Sequence, residues 1–546
     1  MRIAFLLLAV LVAILLCWVP IGRMVLDSLQ AFGPVTEEIF TTPALALKLY
    51  HTVVLALLTT AAALVAGVGF ALAVTSSLVP GARLFRMVGA APLMLPPVVA
   101  AMAWTDTRDP ANLPLAGGLV AGFGQFLTGC LGGQQGLWGT VLILTMGLFP
   151  FVSILTVRAL ESVDARLWDA ARIGRGELRG RFLLLRLIAP DALAGALFVF
   201  VFAASEFGVP EYLSVLGKRW YTYPEEIFRR WDLLGRKGEA AGAAAVASSW
   251  PLVLLTLAAL LLLLRFRARG SAATLAGDHE SLVYRRGHLP RRRARLLGAL
   301  GFCWAGGMLF LGLLYPVASM LTWTEGLATF GRALKQAGPD LAYSLWTAAG
   351  AGLLTAALAL PLAHLAARHR RGRWVEGFFL LPLGVPAVLL GVGLIRFWHG
   401  TLGQVGGLAA RIYDTPLMLI FAYTARFLPL ALLSLAAWFR RVPPAMEEAA
   451  LLASPNPLKR FMRVNLPLAL PAAAAGAILT FVLSLRELDL AARVPAGNAT
   501  AINRISNVVH FGGEDVGAAL AIMLLLAAGA PLFLYWVITG KRLEVS

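Results

Sequence analysis

The sequence predicts an all-α polytopic membrane protein, with about twelve transmembrane helices arranged as two parallel six-helix repeats. Three observations carry this expectation. Of 546 residues, 59% are hydrophobic and 14% charged, where soluble domains carry about a quarter charged. The apolar residues fall in blocks of about twenty or more, enough to cross a hydrocarbon core of roughly 30 Å. The order of features in the first half of the chain recurs in the second. A lipid-facing backbone must satisfy its own hydrogen bonds, as helices or as a closed barrel. Barrel strands alternate over about ten residues, and "LVLLTLAALLLLL" (252–264) does not alternate.

In chain order the spans are expected near 3–22, 48–75, 87–105, 137–158, 184–206, 240–264, 296–320, 342–366, 376–398, 415–438, 465–487 and 516–539. The first, within "MRIAFLLLAVLVAILLCWVPIGR", lacks a small-x-small cleavage site, and Leu16 before Cys17 does not suit a lipoprotein signal. It reads as a retained span. Pro92 and Pro96, like Pro382 and Pro386, are expected to kink the third and ninth spans. Such kinks either shape a central cavity or serve packing.

The formal charge is +18. Arginines crowd the connections after the even-numbered spans, so membrane topology accounts for the charge without nucleic acid. The rule places the N- and C-termini in the cytoplasm. One exception is 208–238, where Lys218, Arg219, Arg229, Arg230, Arg236 and Lys237 mix with acidic residues. That composition suits an ordered extracytoplasmic element. Cys17, Cys130 and Cys303 share no CxxC spacing, and the seven histidines form no HExxH. Neither a disulfide framework nor a metal site follows.

The linker 265–295 divides the chain into a first six-span half (1–264) and a second (296–546). "APLMLPPVVA" (91–100) matches "LPLGVPAVLL" (381–390). "FVFAASEFG" (200–208) resembles "FVLSLRELD" (481–489), with Glu206 opposite Glu487. "DAARIGRGELRGRF" (169–182) matches "EAALLASPNPLKRF" (448–461) without a gap. These last segments are polar, and each lies after the fourth span of its half. Ser454–Pro455–Asn456–Pro457 is turn chemistry, so each segment is expected to be a short helix–turn–helix. A pair of short helices suits docking against a partner protein, with Glu447 and Glu448 offering carboxylates. The alternative is an amphipathic helix that only lies on lipid headgroups, and duplication of the segment weighs against it.

At these residues the chain resembles the permease subunits of binding-protein-dependent, type I ATP-binding cassette importers. Their pattern is Glu-Ala-Ala, three residues, Gly, nine residues, Ile-x-Leu-Pro. Glu448, Ala449 and Ala450 stand correctly spaced before Val464–Asn465–Leu466–Pro467, with Ser454 at the glycine position. In the first half Asp169, Ala170 and Ala171 take the Glu-Ala-Ala place, with Gly174 near the glycine position. The likeness is nearest to permeases with both halves fused, of the ferric-iron and thiamine type. The resemblance implies that these loops couple to two copies of an ATPase, and that an extracytoplasmic solute-binding protein delivers the solute. It implies a multi-pass protein of a prokaryotic plasma (inner) membrane, alternating access driven by the partner's ATP, and no cofactor bound by this chain. Consistently, no Walker A loop is present. The nearest approach, "GLATFGRA" (326–333), carries Arg332 and Ala333 where lysine and serine or threonine would hold phosphate. The chain is therefore expected not to be an enzyme.

Ionisable groups within a membrane are costly and usually face a cavity or a partner. Glu206, Arg486 and Glu487, where the fifth and eleventh spans end, are candidates for the translocation path or outer gate. They also read as ordinary interfacial charges. Arg426, deeper in the tenth span, either pairs with a carboxylate or lines the cavity. The rival function is a secondary transporter of the major-facilitator type, which shares the two-half plan but gives no reason for duplicated docking loops. Within the importer class, thiamine, polyamine and other solutes remain alternatives to ferric iron.

Overall fold

The computed structural model describes residues 2–543 apart from 106–109, 114, 131–135, 217–219, 235–238, 271–290, 325, 402–406, 454–455, 495–498 and 512; among the described residues it is helical, without strands. The first half contains α1 (Arg2–Thr41), α2 (Pro43–Val74), α3 (Ala82–Val88), α4 (Pro97–Trp104), α5 (Leu115–Cys130), α6 (Leu137–Ser162) and α7 (Ala165–Ser205). It continues with α8 (Gly208–Leu216), α9 (Tyr223–Leu234), α10 (Glu239–Ala247) and α11 (Trp250–Gly270). The second half has α12 (Arg291–Leu309), α13 (Tyr315–Trp323), α14 (Leu327–Arg368), α15 (Gly372–Leu380), α16 (Ala387–Ile395) and α17 (Gly407–Tyr413). After them come α18 (Pro416–Arg441), α19 (Pro444–Ala453), α20 (Pro457–Arg460), α21 (Leu466–Leu485), α22 (Leu488–Ala491), α23 (Ala501–Phe511) and α24 (Glu514–Leu543).

Among the described residues, ten helices are long and apolar enough to cross a membrane, or twelve if each of two bent pairs is one span. The bent pairs are the third and ninth spans, which break at 95° and 92° where kinks were expected. The cause is local. Leu95 and Val385 precede prolines and are extended, at ψ 122 and 121, because the proline ring excludes the helical region for the residue before it. A short 3-10 turn, Ala91–Met94 or Leu381–Gly384, leads into each break.

Helices pack into two compact units that divide the chain differently from the sequence halves. One contains Met1–Pro43, Glu226–Val253 and Thr324–Ser546; the other contains Ala44–Glu225 and Leu254–Trp323. The first helix of each half is thus grouped with the other half's helices. In the first unit α1 packs on α10, α14, α16 and α18. Trp18 stacks on Phe378 with ring centroids 4.5 Å apart. Gly393 admits α1 closely, since a Cβ there would meet Met24 Sδ at 2.6 Å and Pro20 O at 2.9 Å. Buried Asp27 pairs with Arg396 and, at 3.2 Å, with Arg23. In the second unit Trp304 of α12 donates from Nε1 to Ala66 O at 3.3 Å. Ser319 of α13 donates to Ala103 O at 3.1 Å, beside the Trp104–Tyr315 ring contact.

Candidate functional site

In the second half the polar segment forms α19, and after the undescribed positions 454–455 a single turn, α20, leads through a π-helical stretch (Phe461–Asn465) into α21. Ser454 therefore lies outside the described residues. The base of α19 is anchored. Glu447 meets His364 Nε2 at 3.1 Å and accepts from Arg368 Nε at 2.9 Å. Arg368 also donates to Val442 O at 2.9 Å. Burial pushes the Glu447 carboxyl up, but the hydrogen bonds and charges of His364 and Arg368 outweigh it and hold it below the usual carboxylate range. Of the two carboxylates read from sequence as offered to a partner, Glu447 is committed inward and Glu448 is exposed.

Beyond the anchor α19 presents an apolar face. Ala449 is exposed and Ala450 buried. Met446 and Leu451 are about half exposed, and Leu452 is 91% exposed. Lys459 and Arg463 are exposed beside it. An isolated exposed leucine needs no explanation. A small apolar cluster at the tip of an anchored polar helix, rimmed by charge, has the composition of a docking surface.

In the first half the expected helix–turn–helix is absent. The backbone at Asp169, Ala170, Ala171 and Gly174 is helical and belongs to α7, which continues to Ser205. Their side chains lie outside the described part of the structure. The difference follows from sequence: Pro455 and Pro457 interrupt the second copy, whereas the first contains no proline before Pro190.

Arg426, Arg486 and Glu487 come together in the first unit. Arg426 is 2% exposed, and its Nη1 donates to Val385 O at 2.7 Å, at the break of the ninth span. Glu487 lies within charge–charge range of both arginines. It also sits at the N-cap of α22. Glu206 belongs to the second unit, where it accepts from the Val209 backbone N–H at 3.3 Å, in the first turn of α8. The matched glutamates thus each stand at the start of a short helix after a span.

Loop 208–238 is ordered in α8 and α9. Arg230 bonds Glu226 at 2.9 Å and Glu38 at 2.7 Å, and Arg493 lies over the Phe228 ring at 3.3 Å and against Asp232 at 3.3 Å. The spacing Glu226–Arg229–Arg230 is a helix-face pairing signal legible in the sequence. Sequence reasoning missed Asp27, since nothing local marks a partner 369 residues away. Among the described residues no group of three or more His, Cys, Asp or Glu could hold a metal.

Ten to twelve long apolar helices, two of the spans broken, define a multi-pass membrane protein. The family described as "Binding-protein-dependent transport system inner membrane component" matches residues 348–539. The ferric-iron, Fe(3+)-transport system permease protein FbpB 2 of Haemophilus influenzae is 22% identical over 540 residues, 97% of each chain. The molybdenum transport permease ModB of Mycobacterium bovis is 30% identical over 250 residues, 44% of this chain and 92% of that relative. The putrescine transport permease PotI of Escherichia coli is 28% identical over 202 residues, 36% of this chain and 71% of that relative. The chain belongs to the binding-protein-dependent family of ATP-binding cassette importer permeases. Such permeases work with a separate ATPase and a binding protein.

Proposed function

We propose that this chain forms the whole transmembrane pathway of an ATP-driven importer, with both permease halves in one polypeptide. Its two coupling segments, at 165–182 and 444–453, each receive one copy of the ATPase. The chain itself binds no nucleotide or other cofactor. ATP binding closes the ATPases, the coupling segments move, and the pathway alternates between inward- and outward-facing states. The segments and both termini face the cytoplasm of a prokaryote, and a binding protein delivers solute from the other side of the inner membrane. The observation that carries this reading is α19, fixed at its base by Glu447 and apolar at its exposed tip. Ferric iron is the solute this reading favours, because similarity to the FbpB 2 permease extends over 97% of the chain, whereas the molybdenum and putrescine permeases match only part of it.

Two experiments test it. Glu448→Arg combined with Asp169→Arg is expected to abolish co-purification of the ATPase while leaving membrane insertion intact. Retention of the ATPase by this double variant overturns the coupling assignment. Uptake of radioactive ferric iron by cells expressing the chain with its ATPase and binding protein tests the solute. Uptake of molybdate or putrescine instead overturns the iron reading alone.

A further inference from the structure

The two halves carry an ion pair at the same place with its charges exchanged. In the first half Arg86, the fifth residue of α3, pairs with Glu161, the last but one residue of α6. In the second half Glu376, the fifth residue of α15, pairs with Arg440, the last but one residue of α18. Helices α6 and α18 are both 26 residues long, and each contains one interior proline, Pro150 or Pro429. The positions correspond residue for residue, and only the signs differ. Three of the four side chains are about a third exposed, and Glu376 is 8% exposed. An ion pair as exposed as Arg86–Glu161 contributes little to stability. An unimportant surface charge has no reason to be matched by an opposite charge across the inversion. What the two halves share is the pairing itself.

Its location says what the pairing does. Helices α3 and α15 open the first arms of the two broken spans, Ala82–Met94 and Gly372–Gly384, which end at the 95° and 92° breaks. The long helices α6 and α18 touch the same broken spans again at the 3-10 turns before the breaks. Each arm is therefore held at both ends by one long helix. In the second half Arg426 of α18 also bonds Val385 O at the break. The coupling segments start four residues after the ion pair, at Ala165 after Glu161 and at Pro444 after Arg440. A displacement of the coupling segment acts first on the end of α6 or α18, and from there through the ion pair on the arm.

We propose that Arg86–Glu161 and Glu376–Arg440 are coupling latches. They are positioning residues that pass the movement of each coupling segment to the first arm of a broken span, turning that arm about its proline break. This inference rests on the importer reading above.

The test uses the full chain with its ATPase in lipid nanodiscs, in a background with the three cysteines replaced. Spin labels at Trp374→Cys on α15 and Leu353→Cys on α14, both exposed at 79% and 71%, report the second arm. Labels at Leu84→Cys on α3 and Leu57→Cys on α2, exposed at 60% and 55%, report the first. With native charges, trapping by ATP and vanadate is expected to shift each label-to-label distance. Glu376→Arg and Arg86→Glu should each abolish the shift in their own half while the ATPase stays bound and trapped. The exchanged pairs Glu376→Arg/Arg440→Glu and Arg86→Glu/Glu161→Arg should restore it. A shift that survives the single reversals overturns the latch, as does one that the exchanged pairs fail to restore. If a single reversal does not reach the membrane, the exchanged pair decides alone, since a latch requires it to show the native shift. Failure of the native-charge chain to hold its ATPase overturns the importer reading and the latch with it.

Discussion

Asp27→Ala is the sharpest test of how α1 is held. Asp27 is 1% exposed and pairs with Arg396, whose side chain is 11% exposed, and with Arg23 at 34%. Removing the carboxylate takes one countercharge from a largely buried guanidinium. Breaking a buried pair by deleting one partner costs about 3–5 kcal/mol, whereas replacing both partners by apolar residues is often neutral or stabilising. Arg396 is largely buried but keeps other interactions, so Asp27→Ala is expected at the lower end of that range, about 3 kcal/mol. The Asp27→Leu/Arg396→Leu double variant should lose less than the single. The assay is reversible unfolding in mixed micelles followed by tryptophan fluorescence, with Trp18 on the same helix as a reporter of α1. If Asp27→Ala stays within about 0.5 kcal/mol of the parent, the range of ordinary surface substitutions, the pair does not secure α1. A double variant less stable than the single refutes the desolvation argument.

Three further outcomes are expected. Glu447→Gln should speed hydrogen exchange in 444–453. The Glu447 carboxyl titrates below the usual carboxylate range, so the part of its anchoring that needs the carboxylate is lost as pH falls through that lowered value; exchange corrected for intrinsic rate should rise in acid below the usual carboxylate range. Leu452→Asp replaces a 91% exposed side chain, so thermal stability of the free chain should stay within about 0.5 kcal/mol while ATPase affinity, read by titration in nanodiscs, falls at least about tenfold, or 1.4 kcal/mol. Gly393→Val places a Cβ 2.6 Å from Met24 Sδ and should cost about 1–3 kcal/mol by overpacking, measured by the same unfolding assay.

The spans were legible because lipid imposes one requirement, continuous apolar helix, that composition alone reveals. The breaks at Pro96 and Pro386 were legible in position but not in size: proline forbids helix for its predecessor, and only the neighbouring helices decide how far the chain turns. The second coupling segment was legible from Pro455 and Pro457, which interrupt it. Its first copy was expected to turn by analogy, yet α7 runs through it because no proline stands there. Glu447 and Glu448 look alike in sequence. Their opposite fates depend on His364 and Arg368, which come from α14. The partners of α1 were illegible for the same reason: they lie far along the chain, from α10 to α18, and nothing near Asp27 names Arg396.

The grouping of α1 with the second half's helices has a consequence for synthesis. When α1 leaves the ribosome, none of α14, α16 and α18 exists. At about 5–20 residues per second, the helix waits on the order of tens of seconds before α18 is made. Until Arg396 is made, Asp27 lacks that partner and keeps Arg23, one turn away on the same helix. Docking of α1 is thus staged: α10 is at hand early, and the contacts with α14, α16 and α18 are added only once the second half is made.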